Sequence, residues 1–298
     1  MRIIPVKVDS SYKESMPYKN AAFPVDVWTD VYDTFTDGTL NCHWHPAFEL
    51  SVLVSGTLDF YVSGTHMPMT EGDCIFINSN TMHTAQQAKG SCGAVVKGVA
   101  FPVSLFAGNT NSTVYKKYFD PLISAPVRGR IIPRDASFAR EMASSILEIC
   151  GLNDTDFGYE LDCLSLISRL WKDTLPHVLP DTPDSLRQNV NRKNEERAKK
   201  ILSYIHENYA EHITVDSLAK YANISRSECF RCFKFFTNQN PVHYINEYRL
   251  AHAAKLLLES DLSVTEIGSA CGFNNSSYFG KLFKQTYGVS PGQYGKKR

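Results

Sequence analysis

Among its 298 residues the chain has no run approaching ~18 apolar residues, which excludes a transmembrane helix. Its first residues, MRIIPVKVDSSYK, hold no apolar core of the kind a secretory signal needs. Its eight cysteines follow no regular spacing, so no disulfide framework is expected. These absences lead us to expect reduced thiols, a cytoplasmic location and no membrane partner. The chain also lacks net charge, with 31 Lys+Arg against 31 Asp+Glu. Taken as one number, that argues against a polyanion partner.

The zero is a cancellation. From Val190 onward there are 16 Lys+Arg and 10 Asp+Glu, a net of +6; the preceding residues hold 15 and 21, a net of −6. A basic C-terminal part behind an acidic N-terminal part favours a nucleic-acid partner at the C-terminal end.

Residues 20–110 are rich in Val, Ile, Phe, Tyr and Thr in short runs. Phe48–Ser55 and Thr57–Val62 are predicted strands joined at Gly56, and Cys74–Ile77 is another, which suggests a barrel or sandwich. Phe138, Met142, Ile146 and Ile149, then Leu161, Leu164, Ile167, Leu170 and Trp171, recur at helical spacing. Those two helices pack either on the barrel or against a second subunit. Residues 176–194, with Pro176, Pro180 and Pro183, are predicted to be a linker with no helical period until Glu195. The expected domains are therefore 1–175, a linker at 176–194, and 195–298.

The last hundred residues contain a repeat. Leu218-Ala219 and Ile224 precede Ile267-Gly268 and Phe273 by 49 positions. After one extra residue, Arg231, Phe233-Lys234, Asn238, Pro241 and Tyr244 precede Lys281, Phe283-Lys284, Gly288, Pro291 and Tyr294 by 50. Each unit reads helix, tight turn, helix. Ser225 caps the second helix of the first unit, and Asn274 or Asn275 that of the second. This is helix-turn-helix patterning, whose second helix enters the DNA major groove.

The run Ile267-Gly268-Ser269-Ala270-Cys271-Gly272-Phe273, followed by Ser277-Tyr278-Phe279, Phe283-Lys284, Gly288 and Pro291, closely resembles the AraC/XylS family of bacterial transcription regulators. The resemblance covers about the last hundred residues. It implies an α+β multidomain chain: an N-terminal cupin-like β-barrel with a helical dimerisation arm, then an all-α DNA-binding domain of seven helices. A linking helix near Pro241–Leu258 would hold two recognition helices, Ser225–Phe236 and Asn275–Tyr287, in successive major grooves. The implied base-facing positions are Ser227, Phe230 and Arg231, then Ser276, Ser277, Gly280 and Lys281, with Asn275 at the second helix start. Arg231 and Lys281 suit guanine, and Phe230 suits a thymine methyl group. Arg226, Lys234, Lys284 and Arg249 are expected at phosphates. Cys229 and Cys232 have the spacing of a metal or redox pair, but Cys229 aligns with Phe279, so burial in the core is expected.

In the N-terminal part, His43, His45, Glu49 and His83, with Gly56 and Gly72-Asp73 between, look like the cupin double motif. Period-two alternation would place His43, His45 and Glu49 on one face, unless Pro46 bends the strand. In metal cupins such positions bind one divalent ion, and imidazole with carboxylate suits Zn, Fe, Mn or Ni. Metal binding, pocket lining without metal and a structural role all stay open. Trp44, Phe60 and Tyr61 are further pocket candidates. No cofactor is required, and a divalent metal is the one candidate.

The expected function is an effector-responsive, sequence-specific DNA-binding regulator that is not an enzyme. The implied partners are double-stranded promoter DNA, a small metabolite such as a sugar, a second copy of the chain and RNA polymerase, with activation the commoner sign in the family. The alternative is a metal-dependent cupin enzyme with a DNA-binding tail.

Overall fold

The computed structural model describes Tyr18, residues 20–179 and residues 185–295; the side chains of 36 and 185–192 lie outside that description. The chain divides into two compact units, the first ending at Lys193 and the second starting at Asn194.

The first unit is built on two antiparallel sheets. The strands are β1 (Asp26–Val31), β2 (Thr39–His43), β3 (Ala47–Ser55), β4 (Thr57–Val62), β5 (Thr65–Thr70), β6 (Cys74–Ile77), β7 (His83–Gln87), β8 (Val95–Pro102) and β9 (Gly129–Ile132). One sheet has the order β1-β8-β3-β6-β9 and the other β2-β7-β4-β5. The predicted strands appear where alternation and turn residues put them, with β3 one residue longer at its start.

Alternation along β3 sorts the two cores. Leu53 points between the sheets with Ile75, Ile77 and Val96, and there meets Leu58, Phe60, Val62 and Ala85 of the other sheet. Phe48, Leu50 and Val52 point the other way, into a second core covered by helices. Because both faces are covered, β3 reads as an almost unbroken buried run. Glu49, lying between Phe48 and Leu50, is thereby turned to the space between the sheets.

The covering helices are α1 (Thr113–Tyr118), α2 (Asp120–Ser124), α3 (Ala139–Gly151) and α4 (Tyr159–Val178). Met142, Ile146, Ile149, Ile167, Leu170 and Trp171 are all buried in that core. The ring of Trp171 lies 4.7 Å from Phe48 and stacks on Phe119 at 5.2 Å, while its indole N–H donates to the Tyr118 carbonyl at 3.2 Å. Aromatic contacts of this kind anchor a helix beyond their buried area alone. The apolar stripes read from sequence thus go to the sheet, except Leu161, which stays 71% exposed, and the half-buried Leu164, which lies outside that core.

The predicted linker is more helical than its composition suggests. Pro176 sits in the last turn of α4, and α5 (Ser185–Asn208) starts inside the segment. Polar residues such as Gln, Asn, Arg and Lys carry no apolar stripe, so periodicity could not find that start. Pro180 and Pro183 lie outside the described residues.

The second unit holds α6 (Val215–Tyr221), α7 (Arg226–Thr237), α8 (Pro241–Glu259), α9 (Val264–Ala270), α10 (Ser276–Tyr287) and α11 (Pro291–Tyr294), which with α5 make the seven expected helices among the described residues. The sequence repeat is a structural one. The turn residues Asn223 and Gly272, 49 apart, both have left-handed backbone at φ 57° and 81°, and the helix-ending Asn238 and Gly288, 50 apart, do so at 57° and 75°. Thr214 and Ser263 open α6 and α9 with capping boxes, and Ser225 and Asn275 cap α7 and α10.

Candidate nucleic-acid interface and sensor cavity

In each helix-turn-helix the second helix buries one side and exposes the other. Helix α7 turns Cys229, Cys232, Phe233 and Phe236 inward, and α10 turns Phe279 and Phe283 inward. Arg226, Ser227, Arg231 and Lys234 are exposed on α7; Ser276, Ser277, Lys281 and Lys284 are exposed on α10, with the cap Asn275 beside them. Phe230 and Gly280 hold equivalent, half-exposed positions. Spacings of three and four residues put each set on one helix face. The structure therefore gathers the sequence-derived candidates into two matching polar surfaces.

Two of the cations are already paired. Arg226 meets Asp216 at 2.7 Å, and Arg231 meets Glu228. Exposed pairs of this kind hold by about 1 kcal/mol or less, so phosphate or guanine can displace either carboxylate.

Arg249 is a correction. It does not face solvent as a phosphate ligand; its Nε and Nη2 donate to the carbonyls of Tyr209 and Glu211, both at 2.7 Å, and it lies 5.8 Å from the Phe273 ring centre. It closes the C-terminal end of α5. The pair Cys229 and Cys232 is buried, and burial raises the thiols to about 11 and about 12. Neither is a thiolate at neutral pH, which fits the core role.

In the first unit, His43, His45, Glu49 and His83 come together between the sheets. His43 pairs with His83 across β2 and β7, while His45 lies past the end of β2 and Glu49 is on β3. Pro46 does break the strand, so His43, His45 and Glu49 do not share one strand face; they converge from separate segments. One ring nitrogen from each histidine lies within 4.8 Å of the others. The Nε2 atoms of His45 and His83 are each 3.4 Å from Glu49 Oε2.

The tautomers follow from the backbone. Nδ1 of His43 donates to the Asn41 carbonyl at 2.8 Å, that of His45 to Ala47 at 3.0 Å, and that of His83 to Thr81 at 2.9 Å. A carbonyl only accepts, so each Nδ1 carries a proton, and on His45 and His83 the Nε2 atom is the one turned to Glu49. Burial, then the neighbouring His83 and His45, hold His43 well below the usual histidine range. Burial opposes ionisation of Glu49, but hydrogen bonding with His45 and His83 outweighs it and keeps the carboxyl below its usual range.

The cavity there measures only ≈ 10 Å³, and Trp28, Asp30, Tyr32, His43, His45, Glu49 and Phe60 are among its lining. That is room for about one water molecule or ion. Tyr61 is a correction: β4 alternates, so Phe60 points inward while Tyr61 lies over the His66 ring at 4.9 Å. Trp44 is buried but does not line the cavity. Trp28, Asp30 and Tyr32 were missed. The available signal was the alternation of β1, whose Asp26, Trp28 and Asp30 occupy the buried positions.

A family profile described as an AraC-like ligand binding domain matches residues 33–170, and one described as a helix-turn-helix domain matches residues 218–297. The uncharacterized HTH-type transcriptional regulator YdeC of Bacillus subtilis (strain 168) is 27% identical over 292 residues, 97% of each chain. The raffinose operon transcriptional regulatory protein RafR of Pediococcus pentosaceus is 35% identical over 132 residues, 44% of this chain and 46% of that protein. Among solved structures, the DNA-binding domain of AdpA in complex with a target DNA is 29% identical, with a TM-score of 0.33, covering 34% of this chain and 91% of that one. A ligand-binding β domain followed by two helix-turn-helix units defines a DNA-binding transcription regulator. The chain belongs to the AraC/XylS family.

Proposed function

We propose that this regulator takes its input as a divalent cation held by His43, His45, Glu49 and His83, and answers by altering its hold on promoter DNA. One observation carries the proposal: three backbone carbonyls fix the Nδ1 protons of three buried histidines around one buried carboxylate. With Nδ1 protonated, the Nε2 atoms of His45 and His83 face the Glu49 oxygen at 3.4 Å. An imidazole nitrogen and a carboxylate oxygen facing each other in a buried site share a cation, either a proton carried on Nε2 or a metal. Imidazole and carboxylate donors suit Zn, Fe, Mn or Ni, and backbone-oriented rings are the usual support of such ligands. When bound, the ion supplies a fixed positive charge in an acidic cavity that also contains Asp30.

The cavity volume favours an ion over a sugar-sized effector, since pockets for drug-sized molecules run about 300–1,000 Å³. The C-terminal unit reads DNA through Ser227, Phe230 and Arg231 on α7 and Asn275, Ser276, Ser277, Gly280 and Lys281 on α10. Arg226, Lys234 and Lys284 serve phosphates. The chain acts in the cytoplasm as a homodimer that contacts RNA polymerase, and it turns over no substrate. Among the described residues no helix is long and apolar enough to cross a membrane. For the dimer, the supporting feature is the bare apolar pair Phe157 and Leu161 at the start of α4, 107% and 71% exposed.

The test is elemental analysis of protein purified without chelator, followed by calorimetric titration with Zn, Ni, Mn and ferrous ions. One equivalent per chain, lost in Glu49→Gln, supports the proposal. Absence of any stoichiometric ion under all four conditions overturns it.

A further inference from the structure

Glycines in the second helix-turn-helix nearly all have an internal reason. A Cβ on Gly268 would lie 3.0 Å from the Phe279 ring, and one on Gly272 would lie 2.6 Å from the Tyr209 carbonyl oxygen. Gly288 ends α10 with left-handed backbone at φ 75°. Gly280 has no such reason. It sits in the middle of α10 without a positive φ, and an added Cβ would meet nothing within 4 Å. Glycine in a helix interior is destabilising relative to alanine, because it loses more backbone freedom on folding. Nothing within the described residues repays that cost.

What Gly280 does offer is nearness. It is half-exposed, on the border between the buried side that carries Phe279 and Phe283 and the exposed side that carries Ser276, Ser277, Lys281 and Lys284. The side chains nearest it toward the helix start, Ser276 and Ser277, are short, and no neighbouring atom fills the space where a Cβ on Gly280 would stand. The equivalent position in α7, 50 residues earlier, is Phe230. Two helices of equal length and matched caps therefore present opposite shapes at the same place: a phenyl ring on α7 and bare backbone on α10.

We propose that Gly280 is a specificity-determining residue that lets α10 seat against its DNA half-site at closer range than α7, which Phe230 holds off. The two half-sites then differ in kind. The α10 half-site is contacted by short side chains and backbone packed against the base edges. The α7 half-site is contacted by a ring suited to a thymine methyl and by the long reach of Arg231. This rests on the assignment of the exposed α7 and α10 faces to DNA.

The test uses full-length protein and the duplex that wild type selects from a random pool. Gly280→Ala and Gly280→Leu are compared with wild type for thermal unfolding and for affinity to that duplex and to a scrambled one. The proposal expects an unfolding midpoint unchanged or raised in Gly280→Ala. It expects affinity for the selected duplex to fall at least about tenfold in Gly280→Leu, with a smaller loss on scrambled DNA. Base preference should relax only in the half-site that Lys281→Ala also affects. Selected-duplex affinity within twofold of wild type for both variants overturns the close approach. If Lys281→Ala is then also neutral, the assignment of α10 to DNA fails with it; if Lys281→Ala still weakens binding, only the close approach fails. A fall in stability for Gly280→Ala would assign the glycine to folding instead.

Discussion

His43 and His83 face each other across the β2–β7 pairing with ring centroids 4.1 Å apart, and each ring is held by the carbonyl two residues before it in the chain, Asn41 and Thr81. Two neighbouring strands thus aim two imidazoles into one space by the same local device. Loss of one such ring should weaken metal binding strongly without emptying the core. We expect His83→Ala to lower affinity for the best-bound ion at least ~100-fold by calorimetry, a larger effect than the ~10–100-fold typical of changing only an outer-shell partner. Equal affinity in wild type and variant would remove His83 from the site.

Arg231→Ala should cost about 1–3 kcal/mol on the selected duplex and relax preference at one base pair. Because Arg231 is already paired with Glu228 on an exposed surface, folding stability should change little. A competition assay against single-base variants checks both. Uniform weakening on every sequence would reassign Arg231 to phosphate.

Lys234→Ala and Lys284→Ala should behave differently from Arg231→Ala. Each should weaken binding to all sequences alike and reduce the slope of log affinity against log salt by about 1. Fluorescence anisotropy over a salt series reads this directly.

Arg249→Ala should destabilise the second unit, because it strips donors from the Tyr209 and Glu211 carbonyls at the end of α5. The expected loss is roughly 1–3 kcal/mol in urea unfolding. An Arg249 variant of wild-type stability that loses only DNA affinity would restore the phosphate role.

Phe157→Asp together with Leu161→Asp should shift a dimer toward monomer by light scattering, while the circular dichroism stays that of wild type. Met142, Ile146 and Ile167 are committed to the sheet, and among the described residues of this unit Phe157 and Leu161 are the most exposed large apolar side chains.

Much of this was legible in the sequence for a physical reason. The helix-turn-helix repeat is encoded locally, by caps such as Ser225 and by left-handed turn residues such as Asn223 and Gly272, and such signals survive without tertiary context. The His43, His45, Glu49 and His83 set was legible as a spacing, but its convergence was not, since it depends on a chain break at Pro46 and on the pairing of distant strands. Asp30 and Trp28 were missed because β1 carries no motif residue and joins the sheet of Glu49 only through its pairing with β8, which the sequence does not reveal. Arg249 was misassigned because an exposed-looking charge on a helix gives no hint that the end of another helix will sit over it. Phe60 and Tyr61 were both named, although a period of two turns neighbours to opposite faces, and only Phe60 lines the cavity.

The most direct test of the account is operator affinity of the full-length protein measured with and without one equivalent of the ion it binds best, beside His43→Ala. The account predicts that the ion changes wild-type affinity by at least about fivefold, the lower end of ordinary allosteric coupling, and leaves His43→Ala unchanged. Identical affinity in wild type with and without a stoichiometrically bound ion would contradict it.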